Sequence, residues 1–269
     1  MKIICALSLL ALFSLSYAYA LEPNTKDPRA IMEMVESRSM GDKVISTVKM
    51  IISDEAGRKR ERVVNSRAIE FLEGTKTIMF FESPADVRGT GMFSIDYKDG
   101  NQSDDQWLYL PSLHKSTRIS GGDKSGSFMG SDLTYADMTK KNTNNYDYQL
   151  LKESEKVDGE DAWVIEARPR TQKEQEETGY VKNQAWISKE KLIPLKSKAW
   201  VKEGKKLKYT KFSDFKKIDG LWFSNKIDIK TMRNNKVESL SSMIFVKRQL
   251  NQPEVKPDDF SLQRLEKGL

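Results

Sequence analysis

The chain carries a single histidine, His114, so any chemistry that needs an imidazole must run through that one residue. A nucleophilic triad would join His114 to Ser127 or Ser131 and to Asp132. No Gly-x-Ser-x-Gly elbow surrounds any serine, however, and that sharp turn is what exposes the attacking hydroxyl in one large class of such enzymes. A hydrolase of this kind would lose its activity on changing His114 or Ser131. Zinc is short of ligands, because the one cysteine, Cys5, sits in an apolar N-terminal run. The acidic runs Asp104-Asp105 and Glu174-Glu176-Glu177 have the look of solvated turns and single out no acid and base pair. Asp96, Asp99, Asp104 and Asp105 could be imagined around calcium, but their spacing is not that of an EF-hand loop. Gly121-Gly122-Asp123-Lys124-Ser125-Gly126-Ser127 has the composition of a phosphate-binding loop, yet its lysine precedes the closing glycine instead of following it. The expectation is a protein without enzymatic activity, metal or cofactor, with His114 a surface residue at a strand end.

What remains informative is apolar. Gln106-Trp107-Leu108-Tyr109-Leu110-Pro111 runs into His114-Lys115-Ser116-Thr117-Arg118-Ile119. A stretch then follows that holds Ser127-Phe128-Met129-Gly130-Ser131-Asp132-Leu133-Thr134-Tyr135-Ala136-Asp137. Residues of this type shelter greasy surface and do not cut bonds.

The elements that must position them can be read from patterning. Lys2, the apolar run from Ile3 to about Leu15, and Ala18-Tyr19-Ala20 read as an export signal cleaved near Ala20. The run is too short to span a bilayer, which takes roughly 20 apolar residues, and no later segment comes close. Cleavage removes Cys5, so disulfides cannot hold the exported chain together. It lowers the formal charge from +6 to +5, because Lys2 leaves and no acidic residue does. Charged residues make up 31% of the chain with both signs mixed, which is how a solvated surface looks, and nucleic acid is not an expected partner outside the cytoplasm.

Asp27 as N-cap and Pro28 at the first helical position open a helix over 28–39, closed by Gly41. From Val44 the period changes to two, with Val48, Met50 and Ile52 on one face. Glu55-Ala56-Gly57, Glu73-Gly74, Asp99-Gly100, Asp158-Gly159, Glu203-Gly204, Asp219-Gly220 and Asn234-Asn235 then punctuate a succession of strands, and such pairs favour tight hairpins. Leu221, Phe223, Ile227 and Ile229 alternate with Trp222, Ser224, Lys226, Asp228 and Lys230, which marks an antiparallel strand with one packed face. The fold class is all-β or α+β, mainly antiparallel, a meander in one domain over 21–269, broken only by a long loop at 120–145.

The Trp-x-Tyr-x-Pro strand, the Arg118-Ile119 pair and the Phe-Met-Gly-Ser-Asp loop follow one another as in the outer-membrane lipoprotein-sorting-like proteins related to the carriers LolA and LolB. Pro84-Ala85-Asp86-Val87-Arg88-Gly89-Thr90-Gly91 and Pro257-Asp258-Asp259-Phe260 fit the same pattern. The chain resembles that family over most of its length after residue 25. The resemblance implies a curved incomplete β-barrel lidded by helices and loops, over an apolar cavity for the acyl chains of lipoproteins or another lipid-like cargo carried in the periplasm towards the outer membrane. A stripe of Met50, Met79, Phe81, Trp107 and Tyr109 would be core by itself, and the resemblance makes it the cavity wall. Phe128, Met129 and Tyr135 are then the lid, swung on the glycines around them, with Arg88 and Arg118 the candidates for the cavity arginine that the family uses.

Nine lysines fall between Lys196 and Lys217. They read either as protection of a sheet edge or as a dock for anionic headgroups, an inner-membrane transporter or an outer-membrane acceptor, with Lys205, Lys206 and Lys208 as candidates. The alternative to a carrier is an interaction or sensor module, or an accessory of a membrane exporter, whose cavity binds a partner.

Overall fold

The structure is a computed structural model and describes residues 25–268. The expected export signal lies outside those residues. Six strands come first: β1 (Lys43–Asp54), β2 (Lys59–Phe71), β3 (Gly74–Ser83), β4 (Gly91–Tyr97), β5 (Asp105–Leu110) and β6 (Lys115–Ile119). Seven follow the 120–145 insertion: β7 (Tyr146–Val157), β8 (Glu160–Pro169), β9 (Tyr180–Ser188), β10 (Pro194–Val201), β11 (Lys206–Ile218), β12 (Leu221–Arg233) and β13 (Lys236–Gln249). They form one antiparallel sheet in the order β6-β5-β4-β3-β2-β1-β13-β12-β11-β10-β9-β8-β7. Among the described residues three short α-helices accompany it, α1 (Pro28–Ser37), α2 (Gln172–Thr178) and α3 (Leu262–Lys267). No helix among the described residues is long and apolar enough to cross a membrane.

The expected meander is present, and its turns show why. Asp158-Gly159, Asp219-Gly220 and Asn234-Asn235 each place two successive residues at positive φ, the geometry whose twist matches the flanking strands of a two-residue hairpin. Each strand therefore pairs with its chain neighbour except at one place. Pairing of β1 with β13, from Ile45 opposite Gln249 to Asp54 opposite Ser239, moves the break in the sheet to β6 and β7. Those two edges are joined by the 120–145 insertion, which crosses the inner, concave face. The curved, unclosed barrel is the expected fold.

α1 begins as predicted: the Asp27 carboxylate accepts the Arg29 and Ala30 amides, and Pro28 takes the first turn. It ends at Ser37, two residues early, because Arg38 turns extended and its guanidinium donates to the Trp222 carbonyl. Ile31 and Met32 pack on Trp163, Ile165 and Ile187, the inner face of β8 and β9.

The insertion covers the other half of the inner face. Phe128 is 1% exposed and lies among Val48, Met50, Val64, Met79, Phe81 and Met92. Asp132, also buried, takes hydrogen bonds from the hydroxyls of Thr231, Ser239 and Ser241, while its own amide donates to Ser241 Oγ at 2.9 Å. Three donors from β12 and β13 thus solvate one carboxylate in place of water.

On the outer face, the C-terminal segment covers β2 to β6 and the start of β1. Val255, Phe260 and Leu265 are buried against Ile69, Ile78, Phe80 and Phe93, and Arg67 pairs with Asp259 at 2.8 Å. Gly91 is required here, since a Cβ would come within 2.8 Å of both Leu265 and Phe80. The segment stops short of β9–β13, whose outer face is bare. Edge strand β7 is irregular, with register shifts on either side of Lys152.

Removing the Asp132 carboxylate leaves two buried hydroxyls, Thr231 and Ser241, and the half-buried Ser239 without their acceptor. Asp132→Ala is expected to lower unfolding free energy by about 2–4 kcal/mol, read by urea denaturation, with faster amide exchange confined to 120–145. Unchanged stability would show that the insertion is not held this way.

Candidate functional site

Strand register assembles a groove on the bare outer face. One row runs Ile51, Ser242, Asp228, Lys211, Lys196, Trp186, and the next runs Ser53, Leu240, Lys230, Tyr209, Lys198. Successive side chains of a strand point to opposite faces, so these two rows share a face while Ser197, Thr210, Ile229 and Ser241 between them point inward. The groove has a volume of about 870 Å³. Its floor is apolar where Ile51, Tyr209, Leu240 and Trp186 lie, and Leu240 is 45% exposed.

One wall is the β7–β8 hairpin, which curls over the strands. Asp158 at its tip pairs with Lys211 at 2.9 Å, and the Trp186 indole N–H donates to Glu155 at 2.7 Å. Hydrogen bonds from Lys152 and Trp186 hold the Glu155 carboxyl below its ordinary value. Lysines and aromatic rings interleave along the floor. Lys196 lies 4.4 Å from the Trp186 ring centroid, Lys198 lies 4.5 Å from Trp200 and 5.6 Å from Tyr209, and Lys230 lies 5.5 Å from Tyr209. A lysine stem laid on a ring covers apolar surface and leaves the ammonium in water.

The residues expected to form one cavity wall divide between the two faces. Met50, Met79 and Phe81 point inward and pack on Phe128 and Tyr135, with Phe81 and Phe128 centroids 5.9 Å apart. Trp107 and Tyr109 point outward, beneath the C-terminal segment, with Trp107 stacked on Phe93 at 5.4 Å. The expected lid is packed, not free. Phe128 fills the inner face, Met129 and Tyr135 adjoin it, and the Arg62 guanidinium donates to the Met129 carbonyl. The glycine run before it is a 3₁₀ turn whose Lys124 is buried and donates to the Asp104 carbonyl.

The docking lysines divide as well. Lys205 is exposed in the β10–β11 turn, and Lys206 pairs with Glu238 at 2.9 Å. Lys208 points inward, its pKa lowered by burial, and donates to the Tyr180 hydroxyl at 3.1 Å, which in turn donates to Asp137 of the insertion. It belongs to the fastening of the insertion, because residue 208 has the opposite parity to Tyr209 and Lys211. His114 is exposed, while Ser131 and Asp132 are buried and bonded elsewhere.

Arg88 and Arg118 lie outside the inner face: Arg88 is exposed and bonds the Glu82 carbonyl, and Arg118 pairs with Asp105. Arg60, Arg62 and Arg248 lie on the inner face, and sequence patterning did not single them out. Arg248 lies 3.9 Å from the Phe245 ring centroid and 4.5 Å from Phe223, and burial pushes its pKa down to about 10. No local signal marks Arg62, which closes the charged run Lys59-Arg60-Glu61-Arg62, and Arg248 stands beside Lys247 after the apolar run Met243-Ile244-Phe245-Val246 has ended.

The space between α1 and the end of the insertion is a cleft of about 790 Å³, and it is polar where an apolar void was expected. Three of its carboxyls are raised by burial. Those of Glu36 and Asp96 move up, and that of Asp104 reaches about 6, through burial first and the nearby charge of Asp96 second. The carboxylates also tie elements together, Asp96 accepting the Lys140 amide at 2.9 Å and Asp104 the Tyr97 amide at 3.1 Å. Polar lining follows from these roles, because a buried backbone end needs an acceptor.

A family model described as "-like: Uncharacterized protein" matches residues 73–267. No curated protein matches the chain. Among solved structures, an outer membrane lipoprotein-sorting protein domain from Vibrio parahaemolyticus is 28% identical, with a TM-score of 0.78 over 89% of this chain and 98% of that one. A DUF1329 family protein from Desulfovibrio piger is 26% identical, with a TM-score of 0.79 over 90% and 99%. A LolA superfamily protein from Nitrosomonas europaea, 19% identical, shares the fold with a TM-score of 0.65 over 87% and 97%.

Two measurements follow from this geometry. A carboxyl raised in the folded state destabilises the fold once ionised, so the penalty from Asp104 is absent below about pH 4 and complete above about pH 6. Melting temperature should rise as pH falls from 7.5 to 5. Asp104→Asn, which keeps an acceptor for the Tyr97 amide, should raise it at pH 7.5 and flatten the profile; an unchanged profile would contradict this. Phe128→Ala empties a packed site and should cost about 3–5 kcal/mol in chemical denaturation, whereas a free lid residue would cost almost nothing.

Proposed function

Because the chain belongs to the LolA-like, outer-membrane lipoprotein-sorting family, we propose that it is a non-enzymatic periplasmic carrier that shelters the acyl chain of a lipoprotein or another lipid-like molecule. The observation that carries the reading is the uncovered groove over β9–β13 and β1. Its volume of about 870 Å³ falls within the roughly 300–1,000 Å³ typical of ligand pockets. An apolar floor left bare beside an outer face otherwise sealed by the C-terminal segment is an exposed patch of the kind that marks a binding site.

The need for such a site is a matter of magnitude. Each buried CH₂ is worth about 0.8 kcal/mol, so a sixteen-carbon chain resists entering water by roughly 12 kcal/mol. A carrier must offset most of that and still let go. An open groove meets both demands better than a sealed pocket, since the cargo leaves without unfolding its host. The groove is also distant in parity from the inner face, where Phe128 and its neighbours already fill the space. Cargo on the outer face need not displace that core. Docking on an inner-membrane transporter or an outer-membrane acceptor belongs to the same reading, with exposed Lys205 available to it.

Native mass spectrometry of the gently purified protein is expected to show added mass of a few hundred daltons or more that organic solvent removes. Leu240→Asp should reduce uptake of a fluorescent fatty acid at least about tenfold while leaving stability within about 0.5 kcal/mol, because the side chain is half exposed. A protein that carries no lipid mass and takes up no probe, yet captures a specific membrane protein, would replace the carrier reading by that of an interaction module.

A further inference from the structure

The charges around the groove go further than its shape, and the inference rests on the groove being the cargo site. Six lysines face it, Lys59, Lys156, Lys196, Lys198, Lys211 and Lys230, against two aspartates, Asp158 and Asp228. Both aspartates are already paired, Asp158 with Lys211 and Asp228 with Lys226, each at 2.9 Å. Lys196 adjoins Glu155 at 3.6 Å. Among the described residues, Lys59, Lys156, Lys198 and Lys230 have no carboxylate within ion-pair distance.

Four of the lysines gather towards one end of the groove, while Lys59, opposite Ser53, borders its aliphatic end. Strands β10 to β12 contribute Lys196, Lys198, Lys211 and Lys230, of which Lys198 and Lys230 flank the Tyr209 ring. Strands β13 and β1 contribute Leu240 and Ile51 with two small serines. Lys198 and Lys230 stand on opposite sides of Tyr209 in register, one from β10 and one from β12. A ring held between two unpaired ammonium groups leaves both free to take an anion on top.

We propose that the groove selects an amphiphile with an anionic headgroup, a carboxylate or a phosphate, seated between Lys198 and Lys230 over Tyr209, with its acyl chain lying across Leu240 and Ile51. Complementary charge gives orientation and discrimination here, and the apolar floor gives most of the affinity. An uncharged lipid of equal chain length would gain the second and not the first. A cationic one would meet repulsion from both lysines.

Isothermal titration of the full-length mature protein with twelve-carbon ligands separates these terms. Dodecanoate and dodecyl phosphate are expected to bind about tenfold or more tightly than dodecyl maltoside at low ionic strength, with the gap closing in 0.5 M salt, where charges are screened beyond about 4 Å. Dodecyltrimethylammonium should bind weakest. The pair Lys198→Gln and Lys230→Gln, both on the solvent-facing side, should erase the preference for anions, lowering dodecanoate affinity at least about tenfold more than maltoside affinity, with the melting temperature as a check on folding.

Equal affinity for the charged and neutral ligands, or a preference that survives the double substitution, would overturn the headgroup assignment while leaving the groove as a lipid site. Binding of butyrate or inorganic phosphate as tightly as of dodecanoate would overturn it too, in favour of a simple anion site. If none of the twelve-carbon ligands binds, the groove reading falls and takes this inference with it.

Discussion

The backbone pairing of β1 with β13 is the constraint on which the rest of this molecule depends. Two meanders, one on each side of that seam, would otherwise be separate sheets with four edges. Joined there, they have two, and the two edges are consecutive in the chain. The connection between them has to cross the inner face, so its 26 residues, 120–145, become the filling of a barrel that never closes. Helix α1, which precedes β1, takes what is left of that face. Among the described residues the outer side is left with the C-terminal segment, and it reaches only from the start of β1 to β6.

The two faces are consequently unlike in physics as well as in place. Inside, polar groups are fixed by short-range partners: Asp132 by three hydroxyls, Asp137 by the Tyr180 hydroxyl that Lys208 in turn holds, Met129 by Arg62. Each such contact trades water for a protein partner of defined direction, which ties the insertion to one arrangement. Outside, over β9–β13, lysines and aromatic rings meet in looser contacts that cost little to rearrange. A surface of that kind can accept and release a ligand without disturbing the hydrogen bonds that hold the sheet. The polar cleft beside α1 belongs with the first kind, since its raised carboxyls also act as tethers.

Much of the fold was legible because it is written locally. Asp158-Gly159, Asp219-Gly220 and Asn234-Asn235 tolerate positive φ, and each made its hairpin. Asp27 and Pro28 started the helix where expected. The alternation of Phe223 and Ile229 with Lys226 and Lys230 marked one buried face. The site was less legible for a reason of register. Met79 and Trp107 each belong to a clear apolar alternation, but the parity that sends one inward and the other outward is fixed by pairing through β4, where Phe93 faces Trp107 and Met92 faces Met79. Likewise Ile51, Trp186, Tyr209 and Leu240 come from four strands spread over the chain, and no window of sequence contains two of them. Phe128 looked like a lid residue because glycines surround it. The acceptor that pins its loop, Asp132, finds its donors roughly a hundred positions further on.

The irregular edge strand β7 has a further effect on how the molecule behaves in company. A sheet with two open margins offers unpaired amides and carbonyls to any neighbour, and a crowded compartment would turn such margins into seeds for fibrous association. In β7 the ladder slips on both sides of Lys152, and the strand carries Lys152, Glu153, Glu155 and Lys156 in quick succession. A second strand cannot lie flat against it, nor keep step with it for more than a few residues. The opposite margin, β6, is short and bears Lys115 and Arg118. An unclosed barrel can therefore remain unclosed in solution, gaining adaptability from its gap without inviting polymerisation across it.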